Sequence, residues 1–179
     1  MQAPPAWLMA MMARMPAPLQ QRVQALLMRA MQDMYLPALA TVPVAWFLAY
    51  VPHFMKFGVI LSKQRVTEYN NQDPRSTDYA QFGPSEKLIR RLLACHQNAL
   101  EGFPAFAFAV LMCKMQKVKP LEAFQLCLRY LIARVLYIAF YAAGTNDAVA
   151  ALRSLAWMDS YASIARLYGK ALSAAPAKR

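Results

Sequence analysis

The chain has 179 residues, of which 59% are hydrophobic, a mean hydropathy of +0.23 and a formal net charge of +11. So apolar a composition is unsuited to a soluble domain of this length, and the excess apolar surface must face lipid or a partner. The basic residues flank apolar segments and do not interleave with aromatics as in a nucleic-acid module, which argues against nucleic acid and for anchoring on membrane lipid.

Glycine is scarce at 5 residues and Ala, Leu and Met dominate, which predicts an all-α fold. Residues 1–34 carry Arg14, Arg22 and Arg29 but no acid before Asp33. This acid-poor, Arg-bearing character is that of a mitochondrial transit segment. We read it as an N-terminal extension holding a retained amphipathic helix over about 18–34, lying on a membrane surface or a partner. A mitochondrial membrane is the expected location, with the endoplasmic reticulum as the alternative.

Residues 35–55 contain no formal charge and are long enough at 1.5 Å per residue to cross a core of about 30 Å. Pro37, Pro43 and Pro52 fall within this first span and are expected to kink it, with neighbouring helices satisfying the freed carbonyls. A polar connection follows over 56–91. The second span, 92–112, lies between Arg90 and Arg91 on one side and Lys114, Lys117 and Lys119 on the other. The third covers 121–144 and the fourth 149–172, so residues 35–172 read as an integral membrane four-helix bundle with a short basic tail over 173–179. Lys and Arg are numerous on both sides, and loop charge leaves the orientation open.

Cys95, Cys113 and Cys127 are odd in number and lack CxxC spacing, and His53 has no partner at ligand spacing. No metal site is expected, and the cysteines read as buried small hydrophobes.

Polar residues within the spans fall at helical spacing. Arg91, Cys95, Asn98 and Glu101 share a face of the second helix; Tyr130, Arg134, Tyr137 and Tyr141 share one of the third; Arg153, Trp157 and Tyr161 recur on the fourth, beside Ser154. Such residues face a bundle interior at membrane depth. Two readings are open. The stripes line a cleft for a peptide-like anion, with arginines for carboxylates, Asn98 and Glu101 for amide and ammonium groups, and phenols for a thiolate. Alternatively, Glu101 neutralises Arg134 or Arg153 as a structural ion pair, and the tyrosines are interfacial anchors.

The run from Cys95 to Pro104, with Asn98 and Glu101 three apart ahead of Phe103 and Pro104, resembles the second-helix signature of the MAPEG family. The loop from Asn71 to Arg75 and Arg91 at the helix start are similar to the bacterial-type subgroup. Arg134, Tyr137 and Tyr141 resemble the family's third-helix pattern, and Arg153 with Ser154 the opening of its fourth. The resemblance covers 35–172 and implies a membrane-embedded homotrimer binding glutathione between subunits. By position, Arg91, Asn98, Glu101, Arg134, Tyr137, Tyr141 and Ser154 would bind it, and Arg153 would stabilise its thiolate. Glutathione transfer to an apolar electrophile, or reduction of a lipid hydroperoxide, would follow. Two positions depart from the eicosanoid-type pattern: Ala94 stands where those members have an arginine, and Trp157 where they often have a tyrosine. Both departures suit the alternative the resemblance also allows, an inactive accessory subunit bound to other membrane subunits in a larger mitochondrial complex.

Overall fold

A computed structural model describes residues 15–32, 34–62, 69–70, 72–144 and 146–174. Arg14, Asp33, Asn71 and the tail beyond 174, singled out above, lie outside the described residues, as do residues 63–68 of the expected polar connection. The described chain is helical: α1 (Ala17–Gln32), α2 (Leu36–Ser62), a 3-10 segment (Tyr79–Ser85), α3 (Glu86–Met115), α4 (Pro120–Ala143) and α5 (Asp147–Ser173).

Short turns force α3, α4 and α5 to run antiparallel in succession. α2 packs against α3 and α4, and α5 closes the bundle against α4 and α3. Its base is tied where the Tyr35 hydroxyl donates to the Val118 carbonyl at 2.9 Å, joining the start of α2 to the α3–α4 turn. Lys117 takes a left-handed φ of 56° there. The Val118 N–H then closes on the Cys113 carbonyl at 3.0 Å, ending α3 in a Schellman motif. Pro120 opens α4, where its missing N–H has no helical partner to lose. α5 begins on Asn146, whose side chain accepts from the Val149 N–H at 3.0 Å.

The lower core joins Phe106, Ala109 and Cys113 of α3 to Ala123 and Cys127 of α4 and to Leu167 of α5. Phe106 is fully buried and stacks on Tyr130 with ring centres 3.9 Å apart. Large apolar side chains also cover the outside of the bundle: Trp46, Phe47 and Phe54 on α2, Phe108 and Leu111 on α3, Ile132 and Val135 on α4, and Leu152 and Leu155 on α5. Exposure of this kind on every helix suits a hydrocarbon solvent. By length and composition α2 and α4 are able to cross a membrane. α3 and α5 match them in length but carry more polar residues, so the second and fourth expected spans rest on their place in the bundle, not on hydropathy.

The polar connection expected over 56–91 is shorter than that. α2 continues to Ser62 and α3 starts at Glu86. Lys56, which reads as a stop in sequence, is buried at 2% exposure, with its ammonium 4.4 Å from the Phe57 ring centre and 5.2 Å from that of Tyr69. The ring faces replace part of its hydration, so the helix need not end. Pro43 and Pro52 both lie inside α2. Pro52 removes a donor from the Leu48 carbonyl, and beside that gap His96 Nδ1 of α3 donates to the Ala49 carbonyl at 2.7 Å. Tyr79, Phe82, Ile60 and Ile89 cap the upper end; burial pushes the Tyr79 phenol up, so it docks there as a neutral ring.

Candidate functional site

The upper half of the bundle holds a cavity of about 360 Å³ between α3, α4 and α5, within the range of small-ligand pockets. Its lining is Asn98, Tyr137, Tyr141, Arg153, Ser154, Trp157 and Met158. Each helix places its contribution by periodicity. Tyr137 and Tyr141 are one turn apart on α4, with rings 5.0 Å apart edge to face; Arg153 and Trp157, then Ser154 and Met158, are one turn apart on α5. α3 and α5 approach closely below it at Gly102, where an added Cβ would stand 3.3 Å from the Tyr161 hydroxyl.

Two guanidinium groups charge the site. Arg153, half-buried, lies over the Tyr141 ring at 4.6 Å. Arg134 is 3% exposed, stacks over Tyr137 at 4.5 Å and points Nη1 and Nη2 at Asn98 Oδ1, at 3.3 and 3.4 Å. Occupying that oxygen turns the donor side of the Asn98 amide away from Arg134. Among the described residues no carboxylate pairs with Arg134 or Arg153, and no acid lines the cavity. The cavity is therefore positive, half aromatic and supplied with neutral donors.

Of the residues singled out in sequence, Asn98, Tyr137, Tyr141, Arg153 and Ser154 thus line one cavity. Arg134 supports Asn98 from behind it. Arg91 is elsewhere: its Nε donates to the Tyr141 carbonyl at 3.0 Å and Nη2 to that of Ala142 at 3.5 Å. It caps the end of α4, where a cation meets the negative end of the helix. Glu101 neutralises neither arginine. It is exposed on α3 and accepts from Gln97 Nε2 at 3.0 Å. Within the spans, Arg129 of α4 pairs instead with Asp159 of α5. Met158 is the lining residue with no warning in sequence, since an apolar residue after Trp157 has no signal of its own. The three cysteines are buried and unpaired. Among the described residues, no group of three His, Cys, Asp or Glu is arranged to hold a metal.

The model of the MAPEG family matches residues 39–173 of the chain. No curated protein matches it.

Proposed function

Because the chain belongs to the MAPEG family and is a membrane protein, we propose that the cavity between α3, α4 and α5 binds glutathione and that Arg153 holds its sulfur as the thiolate. The observation that supports this reading most is the charge balance of the site: Arg153, two phenols and an amide in the lining, Arg134 behind the amide, and no acid among the lining residues. A tripeptide with two carboxylates and a thiol suits that set.

Asn98 presents its amide N–H groups to a carboxylate or carbonyl, its oxygen being held by Arg134. Tyr137 and Tyr141 offer hydroxyl donors, while Ser154, whose Oγ donates to the Ala150 carbonyl at 3.1 Å, keeps its oxygen lone pairs to accept from an amide or ammonium N–H. Arg153 stabilises the anionic sulfur, and Trp157 and Met158 give an apolar wall to an electrophile entering from the lipid. The chemistry proposed is transfer of the thiol to such an electrophile, or reduction of a lipid hydroperoxide. Three copies assemble in this reading, which covers the exposed Glu101 of each at bilayer depth. A mitochondrial membrane is the proposed location, from the acid-poor, Arg-bearing N-terminal segment.

A second reading, an accessory subunit without activity, draws on Ala94 in place of a clamp arginine, on Trp157, and on α1, which precedes the matched region. Calorimetric titration of the purified protein with glutathione in detergent separates the two. Saturable binding that Asn98→Asp abolishes supports the first; no heat of binding by a folded trimer refutes it.

A further inference from the structure

A second, larger depression of about 520 Å³ lies on the outward face of α4 and α5, with no lining residue from α2 or α3. Its walls are Leu128, Ile132, Leu136 and Phe140 of α4 and Leu152 and Leu155 of α5. Arg129 and Asp159 meet within it. Arg129 Nε lies 2.9 Å from Oδ1 and 3.1 Å from Oδ2, and Nη2 also donates to Oδ1, which leaves Nη1 without a bond among the described residues. The pair is not hidden: the Arg129 side chain is 50% exposed and that of Asp159 35%.

Height makes this unusual. Arg129 stands nine residues after Pro120 on a helix able to cross a membrane, which at about 1.5 Å per residue is roughly 14 Å, or the middle of a core of about 30 Å. Arg166, exposed on α5, contributes a second guanidinium field at Asp159. Two cations and one anion leave an unbalanced positive charge on a surface that hydrocarbon would otherwise cover. Ionisable groups at this height ordinarily face protein or a water-filled cavity. The headgroup of a lipid is held at the membrane surface and does not reach the midplane, whereas a transmembrane helix carries an acid at any height.

We propose that the α4–α5 groove is the docking face for a transmembrane helix of another protein bearing a carboxylate near mid-span. That helix packs its apolar side on Ile132, Leu136, Leu152 and Leu155, and its carboxylate accepts from Arg129 Nη1. The inference rests on membrane insertion alone and not on glutathione binding.

A defined probe tests it. The native cysteines are buried, so a donor dye can be placed on Leu121→Cys, an exposed position outside the groove. The protein is reconstituted in phosphatidylcholine liposomes with acceptor-labelled leucine–alanine transmembrane peptides carrying one central Glu, Leu or Lys. Energy transfer is expected to saturate at least tenfold more tightly for the Glu peptide than for the others. Arg129→Gln is expected to erase that preference. The double variant Arg129→Leu with Asp159→Leu removes both charges together and guards against misfolding; it should keep the melting temperature and still lose the preference. Equal association of all three peptides would overturn the proposal. So would a preference that survives in the double variant, or energy transfer that follows phosphatidylglycerol content and not the peptide, which would make a lipid the occupant.

Discussion

Replacing Arg153 by glutamine removes one guanidinium from a site that has no acid to compensate it. A thiolate about 4 Å from that group gains about 4 kcal/mol at an effective dielectric near 20. Arg153 is only partly buried, and water and salt reduce this to roughly 2 kcal/mol, or about 1.5 pKa units. The cation stabilises the charged form, so the shift is downward: a thiol of pKa about 8.5 titrates near 7 when bound. About half is then thiolate at neutral pH, against about 3% for the unassisted thiol. Ultraviolet thiolate absorbance of the glutathione-loaded protein, followed against pH, reads this directly. In the wild type the signal should be present above about pH 7 and lost below it; in Arg153→Gln it should appear only above about pH 8.5. Melting in detergent should fall by no more than about 1 kcal/mol, the size of the lost stacking of the guanidinium on the Tyr141 ring. An equal midpoint in the two proteins, with glutathione bound to both, would refute the role given to Arg153.

Arg91→Leu should cost about 1–2 kcal/mol, because the Tyr141 and Ala142 carbonyls lose their donor at the end of α4, and a melting temperature equal to wild type would contradict the cap. Asn98→Ala leaves the buried Arg134 without its acceptor and should destabilise by about 1–3 kcal/mol, whereas Asn98→Asp should melt higher than Asn98→Ala while binding glutathione at least about tenfold more weakly, since it places an acid beside the anion site. Lys117→Gly relieves a left-handed backbone and should stabilise by about 0.5–1 kcal/mol in thermal denaturation; a loss would mean the turn is not strained. Phe106→Ala opens the lower core and should cost about 3–5 kcal/mol in the same assay, a smaller loss implying that Tyr130 and its neighbours collapse into the space.

Sequence was a good guide where one face or one run of residues carries the signal. The charge-free run over 35–55 marks α2, and the fourth span expected over 149–172 differs from α5, Asp147–Ser173, by one or two residues at its ends. The stretch beyond Lys56 was illegible because its helical continuation depends on aromatic faces from Phe57 and Tyr69, the latter supplied by a loop. Tyr137 with Tyr141, and Arg153 with Trp157, share faces by spacing alone. Spacing does not say how far each helix is rotated in the bundle. Asn98 and Glu101 are three residues apart, which turns the second away from the first by about 60°; that difference puts Asn98 against Arg134 and Glu101 on the exterior. Arg91 shows the same limit, since its partners are fifty residues away.

The antiparallel order of α2 to α5 has a consequence for supply. Tyr141, Arg153 and Ser154 lie near the α4–α5 turn, whereas Met34, the turn at Lys117 and Ser173 lie at the opposite end of the bundle. Whichever way the protein is inserted, the compartment that bathes the cavity is not the one that receives the start of α2 and the end of α5. A reporter fused beyond Ser173 and a water-soluble thiol delivered to Arg153 therefore sample opposite sides, and a protease added to sealed vesicles can say which aqueous pool feeds the site before any activity is known.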